Sequence, residues 1–253
     1  MEPTNKIALI TGGSRGLGKN MALHLANDGI DVIITYRNKK AEAEDVVRQI
    51  EAAGQKAACL QLDVADTKSF NGFFEQAGHV LQSKWSTGQF NFLVNNAGFG
   101  VHASIAQTTE EEFDNLFNTH FKGVFFLTQK ALPLIADGGR IINLSTGLTR
   151  FSSPGYAAYA SMKGAVEVFT KYLAKEAGVR GISANIVAPG IIETDFTEAA
   201  LNIPGLRDMM NAQTALGRVG QPDDIGGVIS FLCSENGRWV NGMRLEASGG
   251  MFL

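Results

Sequence analysis

Residues Lys6 to Gly18 read K-I-A-L-I-T-G-G-S-R-G-L-G, and this stretch decides the fold. Lys6 to Ile10 has the apolar, branched character of a buried strand. Gly12, Gly16 and Gly18 follow at once as G-x-x-x-G-x-G, and a helical pattern then runs through Ala26. Strand, glycine turn and helix in that order place the N–H groups around Ser14, Arg15, Gly16 and Leu17 at a helix N-terminus. A pyrophosphate is stabilised there. The glycines allow a tight turn, close approach of backbone to phosphate, and close helix–strand packing. The alternative is an ordinary glycine turn, so the segments on either side must decide.

Downstream, Asp31 to Tyr36 forms a second strand ending Thr35-Tyr36-Arg37-Asn38. A site for NAD would place a carboxylate here to accept from the ribose 2′-hydroxyl. Asp28 and Asp31 lie at the opposite end. Arg37, helped by Arg15, is instead suited to a 2′-phosphate through charge-assisted hydrogen bonds. The expected cofactor is therefore NADP(H), with two plain surface arginines as the alternative. A helix over 39–53, a strand over 56–62 ending in Asp63-Val64, and a helix over 67–82 come next. A fourth strand reads F-N-F-L-V-N-N-A-G from Phe90 to Gly98. This alternation calls for an α/β fold, a doubly wound parallel sheet with helices on both faces. Ligands gather at the carboxyl ends of such strands, where Asp63 and Asn95 to Gly98 fall. No linker, repeat or low-complexity tract interrupts residues 1–253, so a single domain is expected.

With 253 residues and a net charge of −3, the chain has a sizeable core and no basic surplus for nucleic acid or a membrane surface. Cys59 and Cys233, the only cysteines, both lie in apolar stretches. Buried thiols in a reducing compartment are expected rather than a disulfide. The start, M-E-P-T-N-K, has no basic apolar leader, and no apolar run approaches a membrane span. The expected location is the cytoplasm.

Further on, Ile141 to Leu144 reads as a short buried strand that ends in Ser145 and Thr146. A loop rich in Ser, Pro and Gly leads to a helix carrying Tyr159 and Lys163. Four residues apart, these side chains share one helix face. A phenol titrates near pH ~10, and an ammonium one turn away should lower that value toward the range useful for proton transfer.

Together, T-G-G-S-R-G-L-G, Asp63-Val64, N-N-A-G at 95–98, Tyr159-x-x-x-Lys163 and P-G-I-I-E-T at 189–194 resemble the short-chain dehydrogenase/reductase family over essentially the whole chain. The resemblance implies a Rossmann-type sheet of seven parallel strands, a nicotinamide cofactor, and hydride transfer between alcohol and carbonyl. It places Asp63 and Val64 beside the adenine, and Asn95, Ala97 and Gly98 near the nicotinamide-side ribose. Tyr159 is implied as the acid/base, with Lys163 holding that ribose and lowering the Tyr159 pKa. Pro189, Gly190, Ile192 and Thr194 are implied to cover the nicotinamide.

Two positions depart from the family pattern. Thirteen residues before Tyr159, where the family usually has a catalytic serine, stands Thr146, with Ser145 one residue earlier. Neighbouring strand residues point to opposite faces, so one hydroxyl of the two should serve, and the spacing favours Thr146. Where the family usually has an asparagine that supports a water chain to the lysine, this chain has His120. Its ring could hold that water and titrate near neutral pH, or simply pack in a helix interface.

Thr109 and Glu112 are spaced for a capping box at the start of the His120 helix. That helix is apolar on several faces, with Phe113, Phe117, Phe121, Phe125 and Phe126. By the resemblance it pairs with helix 157–177 across a two-fold axis, giving a homodimer or homotetramer. Residues 193–217 are the expected substrate lid. Phe99, Val101, Leu148, Phe151, Tyr156, Phe196, Met209 and Met210 are candidates for an apolar pocket, and N-G-M-R-L-E-A-S-G-G reads as the edge strand. The substrate is a carbonyl or alcohol of unspecified kind. A 3-oxoacyl group on acyl carrier protein is one candidate, for which Arg150 and Arg180 could supply a basic docking face. A cofactor-binding sensor without turnover is the alternative from another class.

Overall fold

The computed structural model describes residues 6–253, so the reading of the first residues as lacking a leader lies outside the described residues. Seven strands, β1 (Ile7–Ile10), β2 (Asp31–Tyr36), β3 (Ala57–Gln61), β4 (Phe90–Asn95), β5 (Ile135–Leu144), β6 (Ser183–Pro189) and β7 (Arg244–Ala247), form one sheet. Their order is β3-β2-β1-β4-β5-β6-β7, and every pairing is parallel. β1, β2 and β6 are buried at every position, as strands covered on both faces must be.

Alternate strand residues feed two cores. Ile10, Ile34, Val94 and Ile142 meet Met21 and Leu25 of α1 (Gly16–Asn27), Val46 and Ile50 of α2 (Lys40–Ala52), and Ile225 and Ile229 of a late helix, Asp223–Cys233. Leu9, Ile33, Leu93 and Ile141 meet Phe73 and Phe74 of α3 (Phe70–Trp85), with Leu127 and Leu173 from the helices after β4 and β5. The strand order reverses between β2 and β4 on either side of β1. That crevice is where such a sheet binds ligands.

The helix carrying His120 is broken into three pieces. Thr109 caps α4 (Glu110–Phe117) through the expected box: its Oγ1 accepts from Glu112 N at 3.2 Å, and Glu112 Oε2 accepts from Thr109 N at 2.9 Å. One π turn over Asn118–Lys122 follows, and α5 (Gly123–Ala131) continues from it. α6 (Ala157–Ala177) carries Tyr159 and Lys163. The segment expected as a lid holds two short helices, α7 (Glu198–Leu201) and α8 (Leu206–Ala212), and the Asp223–Cys233 helix is α9.

The strand expected over 141–144 begins six residues earlier, at Ile135. Ile135 pairs with Phe90, then the register shifts between Phe90 and Phe92, and Gly138 turns at φ +76° to absorb the extra residues. Asp137 therefore lies within β5 rather than before it. β7 is the edge strand, as expected. Cys59 and Cys233 are free thiols, and burial pushes the latter up to about 12. Among the described residues no helix is long and apolar enough to cross a membrane.

Candidate active site

The glycine turn is built around Thr11. Its Oγ1 accepts from the backbone N–H groups of Asn96 and Ala97, each at 3.0 Å. Asn96 Nδ2 donates back to the carbonyls of Thr11 (2.9 Å) and Gly12 (3.1 Å). The end of β4 and the turn after β1 are thus clamped together. Gly12 adopts φ +66°, and a Cβ there would come 2.9 Å from Ala97 Cα. A Cβ at Gly18 would collide with the Gly12 carbonyl. Arg15 is the N-cap of α1 and makes no side-chain cap bond, which leaves the first-turn N–H groups without a side-chain acceptor. This bare helix start fits a phosphate-bearing dinucleotide. Leu17 packs into the core instead.

Both arginines expected at a 2′-phosphate hold carboxylates. Arg37 Nε meets Asp63 Oδ2 at 2.8 Å, and Arg15 Nη1 meets Asp195 Oδ2 at 3.0 Å. All four are at least one-third exposed, so these pairs are weak and exchangeable. An open cleft at the Arg37–Asp63 pair is also lined by Gln61, Leu62 and Asp66.

Some predicted contact residues turn their side chains elsewhere. Val64 and Ile192 are core residues. Asn95 points into the sheet, where Nδ2 donates to Asn143 Oδ1 at 2.7 Å and Thr128 Oγ1 at 3.0 Å. Its side chain joins strands and helices, and Asn96 is the residue that shapes the turn. Gly190, after Pro189, packs within 2.9 Å of Ser248 Cα when given a Cβ, and Thr194 lies over Gly16. The segment after β6 thereby starts directly above the glycine turn.

Around the end of β5, Lys163 Nζ donates to the Leu144 carbonyl at 2.8 Å and lies 5.8 Å from the Tyr159 ring centre. The ammonium was expected to lower the Tyr159 pKa. Instead burial, reinforced by Tyr156, pushes the phenol well above its usual value, and burial pulls Lys163 down to about 8. Desolvation sets both shifts, and the lysine's hydrogen bond goes to the Leu144 carbonyl rather than to the phenol. Ser145 and Thr146 are now separable. Ser145 is buried and donates to Glu167 Oε1 at 2.6 Å, so its hydroxyl is committed away from Tyr159. Thr146 Oγ1 only accepts, from Leu148 N at 3.3 Å, which leaves its proton for another acceptor.

His120 is 1% exposed. Its Nε2 lies 2.6 Å from the Phe99 carbonyl, which requires a proton on Nε2 and leaves Nδ1 as a bare acceptor without a partner. The ring stands edge-on to Tyr159, with centres 5.1 Å apart at 88°, and a Cβ on Gly98 would touch its Cε1 at 2.5 Å. The expectation that it titrates near neutrality is overturned. Burial and then the Lys163 charge drive its pKa to about 3, against the smaller opposing effect of the Phe99 carbonyl.

Two rings lie against Tyr159, those of His120 and Phe196. Phe196, after β6, has its ring centre 6.4 Å away and rests on Gly100, while His102 stacks edge-on with Tyr156 at 5.0 Å. Phe151 turns to Phe252 at 4.5 Å, and Met209 is exposed. Arg150 and Arg180 also hold carboxylates, Glu246 (2.6 Å) and Asp137 (2.8 Å). Glu167 and Arg244, which touch the Ser145–Arg150 loop, carry no motif, and Arg244 meets Thr146 across 98 residues of sequence.

A doubly wound sheet with a glycine turn at its switch point and a Tyr–Lys pair beside it defines a dinucleotide-binding oxidoreductase. The chain belongs to the short-chain dehydrogenase/reductase family: a family described as Enoyl-(Acyl carrier protein) reductase matches residues 12–252. A 3-oxoacyl-[acyl-carrier-protein] reductase of Staphylococcus aureus is 38% identical over 250 residues, 98% of each chain. The tetrahydroxynaphthalene reductase PfmaG of Pestalotiopsis fici is 35% identical over 97% of this chain and 91% of its own. The solved structure of the angucycline C-6 ketoreductase LanV with bound NADP superposes with a TM-score of 0.92 at 35% identity, covering 98% of this chain and 95% of that one.

Proposed function

We propose that the chain is an NADP(H)-dependent reductase acting on a carbonyl group. The observation that carries this reading is the convergence of Tyr159, Lys163 and Thr146 around the end of β5. Bound NADPH supplies the hydride. Thr146 Oγ1 donates to the carbonyl oxygen and polarises it. The Tyr159 phenol, kept protonated by burial, donates its proton to the same oxygen as negative charge develops there. With the cofactor bound, Lys163 would hold its nicotinamide-side ribose and, with a water donating to His120 Nδ1, would return a proton to Tyr159. Choice of NADP(H) over NAD(H) is supported by the missing carboxylate after β2, by Arg15 and Arg37, and by the NADP in LanV. Residues 193–217 close over the substrate. Phe113 and Phe126 on α4 and α5, with Val168 and Tyr172 on α6, are exposed apolar side chains that suit pairing of two copies.

The His120 and Phe196 rings beside Tyr159 favour a flat, apolar ketone, in line with the angucycline named for LanV and the tetrahydroxynaphthalene named for PfmaG. The likeness to the S. aureus reductase favours a 3-oxoacyl thioester as the second reading. An acidic carrier would have to displace the carboxylates that Arg150 and Arg180 already hold, of which Glu246 is the more buried. The test is titration with NADPH and NADH, then NADPH oxidation across aromatic ketones, 3-oxo esters and 3-oxoacyl thioesters. NADPH is expected to bind more tightly, and Tyr159→Phe to keep binding while losing roughly 10²–10⁴ in rate. A preference for NADH would overturn the cofactor reading. Binding without turnover by any substrate would identify a sensor instead.

A further inference from the structure

Behind the Thr146 loop lies a compact charged cluster. Glu167 stands one turn beyond Lys163 on α6, and its Oε1 accepts from three donors: Ser145 Oγ (2.6 Å), Thr149 Oγ1 (2.8 Å) and Arg244 Nε (2.8 Å). Arg244, on the edge strand β7, also donates through Nη2 to the Thr146 carbonyl (3.0 Å) and to Thr149 Oγ1 (3.2 Å), and through Nη1 to Glu246 Oε2 (2.8 Å). Thr149 Oγ1 lies 3.0 Å from the same Thr146 carbonyl. Glu246 in turn holds Arg150 at 2.9 and 2.6 Å. The Glu167, Arg244 and Glu246 side chains are 18%, 23% and 19% exposed, so water screens the cluster only partly.

We propose that Glu167 and Arg244 form a positioning pair that aims the Thr146 hydroxyl at the substrate oxygen. The proposal rests on Thr146 being the working hydroxyl. Both flanks of that residue are held: the preceding side chain by Glu167, and its own carbonyl by Arg244. With the peptide fixed at both ends, the direction of the Thr146 Cα–Cβ bond is set by α6 and β7 rather than by its loop. Such aim matters because a misplacement of about 1 Å in a reacting group costs on the order of 10²-fold in rate. A bidentate guanidinium spanning a carboxylate and a carbonyl is a geometry that lysine does not reproduce. Neither Glu167 nor Arg244 touches the reacting atoms.

The test is a double-mutant cycle on the ketone turned over fastest in the panel above, with ethyl 4-chloroacetoacetate as the starting probe. Glu167→Gln keeps the shape of the side chain and removes its charge. It is expected to lower kcat about tenfold or more while leaving the NADPH dissociation constant and the ketone KM within about twofold. In a Thr146→Ala background the same change should lower kcat by no more than about twofold, since its effect passes through Thr146. An equal loss in both backgrounds would mean a structural role and overturn the proposal, as would an unchanged kcat in Glu167→Gln. If Thr146→Ala alone retains full kcat, it is the Thr146 reading that fails. Thr149→Val removes one arm of the cluster with little change in shape and should give a smaller loss with the same non-additivity, so the test survives misfolding of the first variant. A crystal structure of Glu167→Gln supplies a readout independent of turnover. The Thr146 peptide should have rotated, and an unmoved peptide would overturn the proposal.

Discussion

His120 spends its only N–H on the Phe99 carbonyl and keeps Nδ1 bare, so its chemistry is that of a neutral acceptor. With its pKa at about 3, it binds no extra proton anywhere between pH 5 and 9. The kcat profile should therefore show no ionisation near 6.5. His120→Asn should lower kcat about tenfold with the shape of the profile retained, and loss of a limb near pH 6.5 in the variant would refute the neutral ring. That the position departs from its family was legible in the sequence. Its proton affinity was not, because the groups that set it come from the Phe99 loop and from α6, 21 and 43 residues away. The same holds for Ser145: a hydroxyl beside Thr146 is visible in sequence, but its commitment to Glu167 is a tertiary fact.

Among the elements, the glycine turn with α1 is the tightest joint. A methyl group at position 18 would strike the Gly12 carbonyl, a backbone atom that cannot yield, and would press on the Asn96 side-chain amide. Gly18→Ala should abolish NADPH binding in calorimetry and destabilise the fold by about 1–3 kcal/mol. Gly72, exposed on α3 with open space around it, is the matched control. Alanine there should raise stability by about 0.5–1 kcal/mol through helix propensity alone. Elements closed by local bonds, such as the Thr109–Glu112 box and the strand–turn–helix at the start, were readable from spacing. The early start of β5 was not, since Asp137, Gly138 and Gly139 break any apolar pattern and the strand is completed by its pairing with β4.

Across the whole molecule, charge clusters link the last strand to the loop after β5. Glu246, between Arg150 and Arg244, has its pKa lowered from 4.5 to about 2, chiefly by the Arg150 hydrogen bond. The unfolded chain then binds the extra proton first as the solution is acidified. The stabilisation is complete above pH ~4.5 and disappears as the pH falls toward 2. Thermal midpoints measured over that window should drop more steeply for the native protein than for Glu246→Gln, and parallel curves would contradict the linkage.

The contact between Arg15 and Asp195 joins the glycine turn to the segment after β6, which the proposed reading makes the lid. On the proposed reading, a 2′-phosphate reaching Arg15 swaps one anion for another, and the lid loses its tether in the same exchange. Uptake of NADPH then changes the number of ion pairs little, and its affinity should respond weakly to ionic strength. Asp195→Asn removes the resident anion. NADPH should bind it more tightly at low salt and lose that advantage as salt rises, because the phosphate–arginine attraction is no longer offset by a pair that breaks. Equal salt slopes in the two proteins would mean that lid and cofactor do not compete for this arginine.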